Sequence, residues 1–366
     1  MDEKYISWQQ AKNFMNEAFV AIGLPFEDAE VCTEILLESD RRGIDSHGVN
    51  RFKPIYIDRI NNKILKPITE IEIIRETPTT AVIDGHDGMG MVISKKAMEL
   101  AIQKAKAYGM GMVAVRNSSH YGIAGYYATM ASEAGMIGIT GTNARPSIAP
   151  TFGVENMLGT NPLTFGLPTD EEFPFVLDCA TSITQRGKIE YFAKVGKDTP
   201  KGMVIGRDGT AKTDSKQILS DLTSAQAALA PLGGIGEELA GYKGYGYATV
   251  VEILSAALQA GNFLHALSGK DESGDLKPYS LGHFFIAIDT EAFMGLESFK
   301  KTTGEILRAL RNSALAPGEH KIYTAGEKEY LAWLDRKDKG IPLNDGIIND
   351  FKAVNTMFNL GYKFDF

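Results

Sequence analysis

A short apolar run, Gly111 to Val115, feeds through the polar segment Asn117-Ser-Ser-His-Tyr-Gly122 into small and apolar residues at helical spacing from Ala124 to Ala134. A buried strand that passes through a loop into a helix is the repeating unit of an α/β sheet. His120 falls in that loop, at the carboxyl end of the strand. There it can face a cleft and trade a proton near neutral pH. A lone histidine is more often a satisfied core residue. Its neighbours Asn117, Ser118, Ser119, Tyr121 and Gly122 are loop chemistry, which favours a functional role.

The same alternation runs through the middle of the chain. Strands are expected at 70–75, 80–83, 136–140, 163–167, 175–177 and 283–288, and amphipathic helices at 93–108 and 296–311. Residues 180–223, rich in Lys, Asp and Gly, read as an extended or mobile excursion. A glycine-rich turn, 233–246, leads into an apolar helix at 248–260, and a polar loop spans 268–277. The first segment is helical: Ser7 with Gln10 forms a capping box, and a second helix opens at Pro25 and ends at Gly43. A helical stretch follows around 55–60. The tail from Glu327 is helical again and is expected to pack on the first segment. The domain reading is 1–69 with 327–366 as a helical domain, and 70–326 as an α/β region that can split into two subdomains near 120–290.

Composition narrows the partners. A net charge of −8 with no long basic run argues against nucleic acid. No apolar run reaches membrane-spanning length, and residues 1–6 hold no signal-peptide core. Cys32 and Cys179 both lie in apolar surroundings and read as buried free thiols. A cytoplasmic protein with no metal is expected.

Further candidates surround His120. Asp45-Ser46-His47-Gly48 carries a second histidine and a hydroxyl. Ser46 could relay a proton with His47 or cap the helix that follows. Arg51 comes four residues after His47, on the same face if both are helical. It could clamp a carboxylate in bidentate fashion, or form a salt bridge with Asp45 or Asp58. Two polar turns, 142–146 and 158–162, follow apolar stretches. Asp178 after a strand could accept from a ribose or cap the next turn. Lys243, between glycines, could reach a pyrophosphate or be solvated. No Walker sequence, metalloprotease histidine pair or Gly-x-Ser-x-Gly elbow occurs, and Gly244 to Thr249 is a poor Rossmann fingerprint.

Taken together, Asp45-Ser-His-Gly-Val-x-Arg51, Asn117-x-x-His120-x-Gly122-x-Ala-Gly-Tyr-Tyr127, Leu158-Gly-Thr-Asn-Pro162, Asp178-x-Ala-Thr-Ser182 with Gly187-Lys188, and Tyr242-Lys-Gly-Tyr-Gly246 closely resemble the malate/L-lactate dehydrogenase family of the non-Rossmann type. The resemblance implies a non-Rossmann, mixed-sheet α/β dinucleotide-binding fold of the sulfolactate-dehydrogenase-like type. It implies a homodimer that interconverts a 2-oxo acid and a 2-hydroxy acid with a nicotinamide cofactor. By position, His120 matches the acid/base, Ser46 and His47 a proton relay, Arg51 the carboxylate ligand, and Thr160 a substrate contact. His120, Tyr121, Gly122, Ile123 and Ala124, with Asp178, Cys179, Ala180 and Lys243, match cofactor contacts. Gly326 and Glu327 match a further cofactor contact, although Ala325 stands where many relatives have proline. Lys188 stands where the imine-reducing relatives have aspartate, which favours an oxo acid. Malate is the leading substrate, and Arg145, Arg186 and Lys188 are candidates for its second carboxylate. Lactate, sulfolactate, a ureido acid, a cyclic imine, or nucleotide binding without turnover stay open. The cofactor reading is NAD, with NADP as the alternative.

Overall fold

The computed structural model describes residues 4–364; positions 1–3 and 365–366, the ends of the expected helical domain, lie outside them. Strand β1 (Lys4–Ile6) leads to α1 (Trp8–Ala21), whose first turn is capped by the Ser7 hydroxyl accepting from Gln10 N–H at 3.2 Å. The Gln10 side chain does not close the box; it donates to the Lys363 carbonyl. After α2 (Phe26–Arg41), the left-handed Gly43 turns the chain. Next comes a continuous helical rod: α3 (Val49–Arg51), a wider π-helical stretch (Phe52–Ile57) and α4 (Asp58–Asn61). Such under-wound stretches re-aim side chains and are frequent at functional sites.

The α/β region follows, with β2 (Glu72–Glu76), β3 (Thr80–Asp84), α5 (Gly90–Tyr108), β4 (Met110–Ser118), α6 (Ala124–Glu133), β5 (Met136–Thr142), β6 (Leu163–Leu167) and β7 (Phe175–Cys179). The expected excursion at 180–223 is instead folded. It holds α7 (Arg186–Lys194), β8 (Val204–Gly206) and α8 (Ser215–Thr223), and β8 pairs with β9 (Ala227–Leu229). Ile189, Val204 and Ile218 close a small core there with Ile148 and Leu158. A unit so small keeps most of its residues at the surface, hence its polar sequence.

The helix expected from Ala248 begins earlier, as α9 (Gly241–Leu254). Gly241 and Gly244 are places of close approach rather than a turn: a Cβ on Gly241 would lie 1.9 Å from the Gly234 carbonyl oxygen, and one on Gly244 2.2 Å from that of Leu232. The chain closes with β10 (Leu281–Asp289), α10 (Leu296–Arg311), α11 (Glu327–Arg336), β11 (Ile341–Leu343) and α12 (Asp345–Phe358).

The large sheet has the order β2-β3-β4-β10-β5-β6-β7, and only β3 and β4 run parallel. This mixed sheet, with the late strand β10 at its centre, is the non-Rossmann arrangement expected. One apolar core joins Phe14, Ile35, Phe52, Tyr56, Val113, Tyr127, Phe285 and Phe351. Each large side chain buried there contributes about 1.5–3 kcal/mol. The tail packs on the first segment as expected, with Phe351 5.0 Å from Phe14 and Trp333 5.9 Å from Trp8. In addition, β1 and β11 pair antiparallel. Cys32 is a buried free thiol; Cys179 is free but exposed, because it ends the edge strand β7.

Candidate active site

His120 is fixed from both sides of its loop. Asp84 accepts from Arg116 Nε at 2.8 Å and from Asn117 Nδ2 at 2.9 Å, and Asn117 takes a left-handed turn (φ +50°) that ends β4. Ser119 Oγ accepts from Gly90 N–H at 2.8 Å and donates to the Gly88 carbonyl at 2.9 Å. The start of α5 therefore presses on this loop. A Cβ on Gly90 would lie 2.2 Å from the Ser119 carbonyl oxygen.

The His120 ring is held by its Nδ1, which lies 2.7 Å from Tyr56 Oη and 3.3 Å from Gly122 N. The Gly122 amide donates, so Nδ1 carries the lone pair, and the Tyr56 hydroxyl donates to it as well. The neutral ring then carries its proton on Nε2. His47 stacks on His120, with centroids 5.7 Å apart and planes 16° from parallel.

Around His47 the bland alternatives fail. Ser46 does not cap α3, whose N-cap is Gly48; its hydroxyl is 2.8 Å from His47 Nδ1. His47 lies in the turn ahead of α3, so the shared helical face does not exist. Arg51 reaches back by donating from Nε to the Ser46 carbonyl at 2.6 Å. Its expected salt-bridge partners are taken elsewhere, Asp45 by Arg336 and Asp58 by Lys53. The turn rests on Asp40, whose Oδ2 accepts from Val49 N–H at 2.8 Å. Gly48 has no room for a side chain, since a Cβ would lie 2.1 Å from Asp40 Oδ1.

Both histidines are pushed toward the neutral form. Burial, then the positive charge of Arg51, lowers His47 to about 4. Burial, then His47, Arg59, Arg51 and His283, holds His120 well below the usual range. A protonated His120 is thus disfavoured while the arginines lack an anion. Burial pushes the Tyr56 hydroxyl far up, so it stays protonated.

Three side chains of this group were not singled out in the sequence. Tyr56 and Arg59 lay in a stretch read only as helix; their three-residue spacing was the available signal. His283 lies buried in β10, face to face with Tyr121 at 4.6 Å, its Nδ1 2.7 Å from Thr142 Oγ1. Nothing in a strand's alternation marks such a residue.

Among the expected cofactor contacts, the Tyr121, Ile123 and Ala124 side chains turn into the core, and Gly122 is left-handed (φ +79°). Asp178 does not cap the next turn. Its carboxylate accepts from Gly125 N–H at 2.7 Å and Thr164 Oγ1 at 3.0 Å, tying β7 to the first turn of α6. Asp178, Gly125 and Gly326 line one cavity of about 510 Å³ with Arg42, Thr129 and Trp333. Glu327 turns to Lys321 and Arg311 instead. The Thr160 carbonyl accepts from Thr181, and the adjacent Asn161 donates to Glu252 on α9. Lys243 is an exposed residue of the first helical turn of α9, not of a flexible loop. Lys188 and Arg186 are exposed on α7; the Lys188 ammonium lies over Tyr191 and Phe192, and Arg186 pairs with Glu190. No contact joins them or Ala180 to His120 among the described residues.

Comparison with known proteins matches this architecture. The malate/L-lactate dehydrogenase family profile matches residues 6–352, and the chain belongs to that family of 2-hydroxy-acid oxidoreductases. It is 40% identical to a malate dehydrogenase of Pyrococcus horikoshii over 97% of this chain and 96% of the relative. It is 37% identical to an L-sulfolactate dehydrogenase of Methanocaldococcus jannaschii, over 94% and 95%. The crystal structure of malate dehydrogenase from Entamoeba histolytica superposes with a TM-score of 0.95 at 44% identity, covering 99% of this chain and all of that one.

Proposed function

We propose that this dehydrogenase interconverts malate and oxaloacetate, with NAD as its cofactor. One observation supports the chemistry: His120, oriented through Nδ1 by Tyr56, lies in one group with an Arg51 whose terminal nitrogens make no hydrogen bond among the described residues. The relatives named malate dehydrogenase support the substrate.

The residues present fit a dinucleotide. The cavity beside α6 is large enough for part of one, and at Gly125 and Gly326 a Cβ would meet Asp178 Oδ2 at 2.9 Å and the Pro174 carbonyl at 2.6 Å. Gly122, Gly125, Asp178 and Gly326 would hold it, and when bound it supplies the hydride. Arg51 clamps the carboxylate next to the reacting carbonyl, in bidentate fashion. That fixes the carbonyl oxygen toward His120, and positioning of this kind supplies much of the rate. Charged His120, formed when the substrate anion pairs with the arginines, gives its Nε2 proton to the developing alkoxide and is left neutral with a proton on Nδ1 toward Tyr56 Oη; in malate oxidation Nε2 takes the proton back. Ser46 and His47 keep the Arg51 turn in place and can relay a proton.

NAD is favoured over NADP because Glu38, Glu172, Asp178 and Glu329 line the cavity, while its Arg41 and Arg42 are already paired with Glu38. A 2′-phosphate there would meet carboxylates. The expected homodimer is supported by exposed Tyr247, Val250, Ile253 and Phe263, which continue into an apolar cavity of about 450 Å³ under α9. Among the described residues no helix is long and apolar enough to cross a membrane. The free thiols agree with a cytoplasmic setting.

Loss of NADH absorbance with oxaloacetate, sulfopyruvate, pyruvate, 2-oxoglutarate and a cyclic imine tests the reading. Oxaloacetate turned over most efficiently supports it. A different winner replaces the substrate, and silence across the set removes the activity.

A further inference from the structure

Several half-buried arginines in this protein have an oxygen to hold. Arg41 and Arg42 pair with Glu38, Arg116 with Asp84, Arg311 with Glu171 and Arg336 with Asp45. Arg59 is different. It is half-buried on α4, and among the described residues no hydrogen bond or ion pair takes up its guanidinium. Its guanidinium carbon lies over the face of Tyr279, 4.4 Å from the ring centroid. Burial depresses its pKa, and Arg145 and Arg51 depress it further, while Tyr279 and Tyr56 act the other way. Removing a cation from water without giving it an anion is costly. A stack on an aromatic face offsets part of that cost and leaves the planar edge, with its donors, unused.

The place of this unused edge decides its meaning. Arg59 comes three residues after Tyr56, whose hydroxyl holds His120, and it weighs on His120 directly. Arg51 is on the other end of the same helical rod. Two cations without anions therefore act on the proposed proton donor.

We propose that Arg59 is the second anion-binding group of this site, taking the far carboxylate or sulfonate of a dianionic 2-oxo acid whose near carboxylate is held by Arg51. This rests on the dehydrogenase reading above and names the residue that selects among its substrates. A dianion satisfies both guanidinium groups. A monoanion such as pyruvate leaves Arg59 desolvated and unpaired, and an unpaired buried polar group is the strongest basis for rejecting a substrate. Arg145, exposed nearby, adds to the positive field without the same enclosure.

The test compares kcat/KM for oxaloacetate, sulfopyruvate and pyruvate in the wild type, Arg59→Gln and Arg59→Lys, with NADH binding followed by fluorescence as the check on folding. The wild type should favour the dianions. Arg59→Gln should lower their kcat/KM roughly 100-fold or more relative to pyruvate. Arg59→Lys should restore part of the preference, since charge returns without the planar fork. A wild type that favours sulfopyruvate over oxaloacetate removes malate and keeps Arg59. A wild type that favours oxaloacetate, with that preference intact in Arg59→Gln, keeps malate and removes Arg59. Equal losses on all three acids would also overturn the assignment, as would a wild type that favours pyruvate.

Discussion

Tyr56 and His120 are 64 positions apart, yet the tyrosine hydroxyl lies 2.7 Å from the imidazole Nδ1. This contact links the helical rod to the carboxyl end of β4 and decides which ring nitrogen carries the proton. Tyr56→Phe removes the donor and keeps the ring that fills the core. The expected result is a fall in kcat of about 10-fold or more with KM and NADH binding little moved. Steady-state kinetics read this split; a change in KM alone would assign Tyr56 to substrate placement instead.

His120→Gln should lower kcat for oxaloacetate reduction by roughly 10²–10⁴-fold, the usual worth of a positioned acid. NADH affinity, measured by fluorescence titration, should stay within a few-fold. Turnover at the wild-type rate would remove His120 from the reaction.

Arg51→Lys loses the Nε bond to the Ser46 carbonyl together with the planar fork. Because the near carboxylate is common to all 2-oxo acids, kcat/KM should drop roughly 100-fold for monoanions and dianions alike. A loss confined to dianions would exchange the roles of Arg51 and Arg59.

Substrate binding should draw in a proton. Burial and the charges of Arg59 and Arg51 keep His120 neutral, and an anion that pairs with the arginines weakens that part of the depression. Calorimetric titration of the NADH-loaded enzyme with a non-reducible dicarboxylate, in buffers of different ionisation heat, should show net proton uptake near pH 7. No uptake would mean that His120 reacts from its neutral form.

The histidines also set the acid limit of the fold. His47 is lowered to about 4 and His283, by burial, to about 3, while unfolded histidine titrates near 6.5. Between those values the unfolded chain binds more protons, so stability rises with pH and is lost as pH falls below about 6.5. Each histidine contributes up to about 1.4 kcal/mol per pH unit within its window. His47→Gln should flatten the acid side of a denaturant-midpoint profile and leave the slope above pH 7 alone.

Local pattern was enough for much of this architecture. The apolar run before His120, the helix spacing of 296–311 and the Ser7 cap each depend on neighbours in sequence, and each forms as expected. What could not be read depends on distance. Gly241 and Gly244 look like a turn until the backbone of Gly234 and Leu232 is seen against them. The polar stretch 180–223 hides a fold because its few apolar residues meet partners, Ile148 and Leu158, from outside the segment. The motif residues His47, Arg51 and His120 were visible as types; Tyr56, which holds the His120 ring, and Arg59 and His283, which weigh on its protonation, become visible only when a helix and a central strand close around them.

The pairing of β1 with β11 has a consequence for biosynthesis. Strand β1 is made long before its hydrogen-bonding partner β11, and Arg336, which braces Asp45 and the Asp40 carbonyl beneath the Ser46–His47 turn, follows Asp45 by 291 positions. Nascent chains therefore carry an unpaired β1 edge until β11 has been made, and the proton-handling turn acquires its brace only after every strand of the large sheet has been synthesised.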